Sequence, residues 1–288
     1  MIITDDFVVL NNPKTGSSFV RAVLREIHRS RLRRRSLITR VGHKFGFGRP
    51  PSFQELFLPN IKTRLPHPKD QHGTYTQIPA EHRHKAIVSV VRNPYDRLLS
   101  TYQFGWWARY PPAPENVIRN EFPHFPRLTL DEYVRLLKMA RHRYHLPHLH
   151  LKVEVGGQTL GFIQMFFKDP EAVLRRLDQE YMESERFVED MAPIQFLQTE
   201  NLNTGLSTLL QRYGYSEEEV AFVRAHERVN VTSASNGEEF PVLTEQALRF
   251  VHEQERFLLR ILAHLGFHYS PPASASSGSP ALESYLPR

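Results

Sequence analysis

The sequence predicts a three-layer α/β fold, a mainly parallel sheet flanked by helices with its ligand at the C-terminal ends of the strands. Three observations predict it. The apolar run Phe7-Val8-Val9-Leu10 stops at Asn11-Asn12-Pro13 and passes through Lys14-Thr15-Gly16-Ser17-Ser18 into a segment with helical apolar spacing. A second run, Ala86-Ile87-Val88-Ser89-Val90-Val91, reads as a strand buried on both faces and is closed by Arg92-Asn93-Pro94 ahead of another helical segment. With 288 residues, 40% of them hydrophobic, the chain is long enough to bury one large core.

The elements follow in order. Residues 2–12 read as the first strand. Residues 17–30 read as a helix with Phe19, Val20, Val23, Leu24 and Ile27 on one face. Residues 31–52, rich in Arg, Gly and Pro, read as an inserted basic loop or a frayed extension of that helix. Residues 53–58 read as a short helix, and 59–85, with Pro59, Pro66, Pro68 and Pro79, as mostly loop.

After the strand at 86–91, a helix is expected from Tyr95 to about Trp107, closed by Pro111, Pro112 and Pro114. Thr129-Leu130-Asp131-Glu132 is a capping-box pattern, so 130–142 should be helical. Gly156-Gly157 marks a turn, and 162–167 fits either strand or helix. Residues 170–183 read as helical and 193–200 as a short strand. Helices are expected at 204–213 and 216–225, and Thr244 should cap one long helix through Leu265. Residues 1–269 thus read as a single domain, and 270–288 as a disordered tail rich in Pro, Ser, Ala and Gly.

Composition excludes several functions. No run approaches the roughly 18 apolar residues of a membrane span. With no cysteine there is no disulfide, thiolate metal site or cysteine nucleophile. The N-terminus lacks a basic region followed by an apolar one, so no signal peptide is read and a cytoplasmic location is expected. The net charge of +6 is uneven. Between Glu26 and Glu55 there is no acid, but there are Arg29, Arg31, Arg33, Arg34, Arg35, Arg40, Lys44 and Arg49. Such a run is a solvated face or a site for an anionic substrate, ahead of nucleic acid.

The strand-to-helix loop carries the first chemistry. A helix N-terminus collects unpaired N–H groups and the positive end of the dipole, and so attracts phosphate or sulfate. Lys14 adds a positive charge, and Thr15, Ser17 and Ser18 add hydroxyl donors. The loop lacks the first glycine of a nucleoside-triphosphate loop, and its lysine precedes its glycine. Arg92, at the end of the second strand, and Ser100, in the helix after it, can converge on one phosphate. The plain alternative is a local Arg92–Asp96 salt bridge with Ser100 packed as a small residue.

Together, Pro13-Lys14-Thr15-Gly16-Ser17-Ser18 and Arg92-Asn93-Pro94-Tyr95-Asp96-Arg97-Leu98-Leu99-Ser100-Thr101-Tyr102 resemble the two cofactor motifs of sulfotransferases that use 3′-phosphoadenosine 5′-phosphosulfate (PAPS). The likeness is closest to the carbohydrate branch with the heparan 2-O and chondroitin enzymes. It continues weakly in Phe196–Leu202 and in Arg228-Val229-Asn230-Val231-Thr232. The resemblance implies a P-loop-like sulfotransferase fold and transfer of a sulfonate group from PAPS to a hydroxyl of a saccharide-containing acceptor, without a metal. It implies that Lys14 meets the bridging oxygen and the sulfonate. Thr15, Gly16, Ser17 and Ser18 would hold the 5′-phosphate, and Arg92 and Ser100 the 3′-phosphate.

In the 2-O branch a His-Gly-His element between the two motifs supplies the general base. Here Asp70-Gln71-His72-Gly73-Thr74 stands in that interval, with Thr74 in place of the second histidine. His72 is therefore either the general base or a ligand of the acceptor, with His67 in reserve. An acidic glycan as acceptor would suit the arginine-rich 29–49 stretch. Two rival functions are a P-loop kinase and a non-catalytic module that binds polyanions.

Overall fold

The computed structural model describes residues 1–34, 53–62, 69–145, 151–226 and 242–271. The elements run β1 (Ile2–Thr4), β2 (Phe7–Leu10), α1 (Ser17–Arg34), β3 (Phe53–Glu55), β4 (Ala86–Val91), α2 (Pro94–Phe104), α3 (Trp106–Arg109), α4 (Glu115–Glu121) and α5 (Leu130–His145). They continue with α6 (Gly157–Phe166), α7 (Pro170–Arg176), α8 (Gln179–Glu183), α9 (Arg186–Asp190), β5 (Ile194–Gln198), α10 (Leu202–Arg212), α11 (Glu217–Ala225), α12 (Glu245–Gln254) and α13 (Arg256–His264). Most of the basic loop expected at 31–52, the Arg228–Thr232 motif, His67 and the tail from 272 lie outside the described residues. Among the described residues no helix is long and apolar enough to cross a membrane.

The chain divides into two compact units. One comprises Met1–Asn60, His67–Arg92 and Ala192–Ser233, and the other Ile61–Pro66, Asn93–Met191 and Ala234–Arg288. The first unit holds a five-stranded sheet in the order β3-β1-β2-β4-β5. β2, β4 and β5 are parallel, while β1 is antiparallel to both β2 and β3. The sheet is therefore mixed, which corrects the mainly parallel expectation.

The reason lies in residues 2–12, expected as one strand. Asp5 and Asp6 are exposed and break the apolar run. The Thr4 hydroxyl accepts from the N–H of Phe7 at 3.0 Å and donates to its carbonyl at 2.9 Å, which closes a tight reversal. β1 then folds back on β2, with Ile2 opposite Val9. The expected short helix at 53–58 is likewise replaced by β3, which satisfies the free edge of β1. Glu55 on β3 holds Arg25 of α1 through two hydrogen bonds of 2.7 Å.

One face of this sheet presents Phe7, Val9, Val88, Val90 and Leu197 to the helices α1, α10 and α11. The five apolar residues expected on the inner face of α1 are all buried there. Leu206, Leu209 and Leu210 of α10 and Val220 and Val223 of α11 complete this core. Burial of such side chains stabilises by about 1.5–3 kcal/mol each, and it fixes the strand ends from which the candidate site is built.

The second unit is helical. Of its ambiguous segment 162–167, residues 162–166 belong to α6 and Phe167 is the extended residue that ends it, and Thr129 caps α5 as expected, with the Glu132 carboxylate accepting from the Thr129 N–H at 2.8 Å. The segment 170–183 is split into α7 and α8, because the Asp178 carboxylate caps the second at Tyr181 N–H, 2.9 Å away. The long helix expected from Thr244 to Leu265 is likewise two, α12 and α13, which part at Glu255.

Glu255 is 1% exposed. Its carboxylate accepts from the N–H of Gln158 at 3.1 Å and from the N–H and hydroxyl of Thr159 at 2.7 Å each, at the start of α6. Burial raises its pKa above the ordinary carboxylate value, against the pull of those donors. Gly156 leaves the room for it, since a Cβ there would stand 2.0 Å from a Glu255 oxygen. Gly156→Ala is therefore expected to destabilise the protein by about 2–3 kcal/mol, the cost of an overpacked interior. Urea denaturation of the two proteins measures it.

Candidate functional site

The site lies in the first unit, where β2 and β4 end side by side. The Ser89 hydroxyl donates to the Leu10 carbonyl at 2.7 Å, and the Asn12 amide donates to the Val90 carbonyl at 3.0 Å. These bonds hold the chain leaving β2 against β4, so residues 11–16 must turn sharply to enter α1.

The turn is strained. Lys14 has φ 63° and Gly16 φ 91°. Left-handed backbone is ordinary for glycine, but costs a residue with a Cβ about 1–2 kcal/mol. Lys14 is the only non-glycine residue with positive φ among the described residues. Thr15 between them is not in that region, so φ alternates in sign along the loop. Such alternation folds successive N–H groups into a concave nest for an anion.

Three carbonyls of the loop are held by donors. The Thr15 hydroxyl bonds the Asn12 carbonyl at 3.0 Å, an Arg92 guanidinium nitrogen the Lys14 carbonyl at 3.3 Å, and the Thr199 hydroxyl the Thr15 carbonyl at 2.8 Å. In a planar trans peptide the N–H points opposite to the carbonyl. The amides of Thr15 and Gly16 are thus turned away from Arg92 and Thr199. α1 begins at Ser17, and its first intrahelical bonds run from Phe19 and Val20 to the Gly16 carbonyl. The N–H groups before Phe19 have no partner within the helix, and carry the positive end of its dipole.

The expected site residues fall as follows. Thr15 is fully buried, with its hydroxyl engaged inside the loop. Gly16 admits no side chain, because a Cβ would come within 2.7 Å of Leu202. Ser17 is buried and Ser18 half-buried at the helix start. Lys14 and Arg92 are brought together. Burial, and then the Arg92 charge, lower the Lys14 pKa below the ordinary ammonium value. Two neighbouring cations, one of them desolvated, form a site that an anion would stabilise. Ser100 belongs to the second unit, buried on α2.

His72 stands beside the same strand end. Its Nδ1 lies 2.6 Å from the Asn11 carbonyl, and its backbone N–H donates to the Asp70 carboxylate at 2.7 Å. A carbonyl only accepts, so Nδ1 carries the hydrogen, and the neutral ring keeps its lone pair on Nε2. The Asn11 amide in turn donates to the Gln71 carbonyl at 3.3 Å. Gly73 is held tight, since a Cβ there would meet Leu58 and Met1 at 2.7 Å. The segment 70–73 is thereby tied to the residue that opens the loop.

Sequence reasoning missed Asn11, Asn12 and Thr199. The two asparagines after an apolar strand are a turn signal that could have marked them as loop anchors. Thr199 carries no such signal, because its partner is 184 residues away. Among the described residues no three His, Asp or Glu side chains gather as metal ligands would. No family model matches the chain, and no curated protein matches it significantly.

Proposed function

We propose that this chain is a PAPS-dependent sulfotransferase of the three-layer, P-loop-like fold, acting on a hydroxyl of a saccharide-containing acceptor. The observation that carries the reading is the loop itself. A lysine in left-handed backbone, its charge disfavoured by burial and by Arg92, sits at a helix N-terminus whose neighbouring carbonyls are held by other donors. That donor set fits a phosphosulfate. Bound there, PAPS supplies a sulfonate that passes to the acceptor oxygen as the sulfur–oxygen bond to the nucleotide phosphate breaks.

The residues divide the work. The loop amides from Thr15 to Ser18 bind the 5′-phosphate. The Lys14 ammonium stabilises the negative charge that gathers on the bridging oxygen as it leaves. His72 Nε2 accepts the proton of the acceptor hydroxyl. Arg92 binds the 3′-phosphate, and the motif resemblance adds Ser100 to that role.

Calorimetric titration with 3′-phosphoadenosine 5′-phosphate tests the reading. The wild-type protein is expected to bind it, and Arg92→Ala to weaken binding by about 10- to 100-fold, the worth of one or two charge-assisted hydrogen bonds. Ser100→Ala is the milder companion. Absence of binding by the wild type would overturn the reading. ATP hydrolysis in magnesium without such binding would point to a kinase. Polyanion binding that survives Lys14→Ala and Arg92→Ala, and falls steeply with salt, would point to a binding module.

A further inference from the structure

We infer that Thr199 is a positioning residue that sets which way the peptide between Thr15 and Gly16 faces, and so decides whether the loop presents a donor or an acceptor to its anion. The inference rests on the anion-loop reading above, but adds a residue from the end of β5 that none of the cofactor motifs assigns a role.

The Thr199 hydroxyl lies 2.8 Å from the Thr15 carbonyl and 2.9 Å from the Val91 carbonyl. It has one proton to give. The Val91 carbonyl already accepts the Thr199 backbone N–H at 2.9 Å, which secures the register of the chain just past the ends of β4 and β5. The hydroxyl proton is therefore best spent on Thr15, whose residue is fully buried. An unmet buried carbonyl would be costly there.

The consequence is directional. With its carbonyl bound to Thr199, the peptide plane turns the Gly16 N–H to the opposite side. The peptide is one that can turn over, because Gly16 tolerates either sign of φ. Rotated by half a turn, it would offer the anion a carbonyl oxygen in place of an N–H. Leu202 limits what else the loop can do, since it stands 2.7 Å from where a Gly16 Cβ would lie. Packing fixes where the loop runs, and the Thr199 hydroxyl fixes its polarity.

The experiment compares wild type, Thr199→Val and Thr199→Ser. Valine keeps the shape and removes the donor, while serine keeps the donor. Calorimetry with 3′-phosphoadenosine 5′-phosphate is expected to show about tenfold weaker binding for Thr199→Val, and binding within about twofold of wild type for Thr199→Ser. Valine binding as tightly as wild type would overturn the inference. The second measurement follows the Gly16 amide of the wild-type protein by nuclear magnetic resonance during titration with inorganic pyrophosphate. A large shift of that amide is expected, and no shift would overturn the inference even if Thr199→Val fails to fold. A folded Thr199→Val protein should lose the shift, a change that a merely structural role would not produce. If the wild type binds pyrophosphate with a Gly16 shift but not the 3′-phosphorylated nucleotide, the sulfotransferase reading fails while the role of Thr199 stands.

Discussion

Under the function proposed above, Lys14→Gly is expected to leave a folded protein that transfers sulfonate about 10²- to 10³-fold more slowly, the usual cost of removing one group that stabilises charge in a transition state. Its fold should be unharmed or slightly firmer. The substitution relieves a left-handed residue at φ 63°, worth about 1–2 kcal/mol, and loses about 0.5–1 kcal/mol to the greater freedom of unfolded glycine. It also removes an ammonium that burial and Arg92 disfavour. Lys14→Ala removes the same ammonium but keeps the backbone strain, so it should lose the same activity and be less stable than Lys14→Gly. Thermal unfolding alongside single-turnover transfer separates the two effects. If Lys14→Gly lost stability and kept its rate, Lys14 would be a structural residue.

The same lysine predicts a proton signature. Its pKa is lowered in the protein without nucleotide, so at alkaline pH part of the population is neutral. An anion placed beside it raises the pKa again, and binding then draws protons from the buffer. Titrations in buffers of different ionisation enthalpy should show proton uptake that grows with pH and vanishes in Lys14→Gly.

His72→Asn is expected to lower kcat by about 10²- to 10⁴-fold, the range for loss of a general base, while the affinity for 3′-phosphoadenosine 5′-phosphate stays unchanged. Asparagine keeps an N–H that can reach the Asn11 carbonyl, which His72 meets at 2.6 Å, and removes the lone pair on Nε2. The variant should therefore retain the local fold. The loss should fall on kcat and leave the KM for the acceptor unchanged. A rise in KM for the acceptor with kcat preserved would instead make His72 a ligand of the acceptor. Steady-state rates with a panel of saccharide acceptors decide between the two.

Much of the site could be read along the chain because its signals are local. An apolar strand, a proline, a lysine and a glycine followed by hydroxyl residues announce a tight strand-to-helix loop whatever lies around them. Arg92 was legible for the same reason, at the end of the run of Ala86–Val91. Asp5-Asp6 is a turn signal inside the apolar run 2–12, but the choice between one strand and a hairpin depends on where β1 finds its partner. Phe53–Glu55 is too short to specify itself, and it is a strand only because β1 offers an unpaired edge. The helix expected from Thr244 to Leu265 is cut at Glu255 for a long-range reason, a carboxylate that accepts from residues almost a hundred positions earlier.

The chain's local chemistry thus set the strand-to-helix passages at Phe7–Ser18 and Ala86–Pro94, and with them the place of the loop and of Lys14 and Arg92. Folding added what spacing cannot encode. The left-handed turn at Lys14, the hydrogen held on His72 Nδ1 and the Thr199 bond to the Thr15 carbonyl all depend on partners brought together by the sheet. Residue types follow from which chemistry a site needs. The direction in which a peptide or a ring faces follows from which buried polar group must find a partner, and that is settled only when distant strand ends meet.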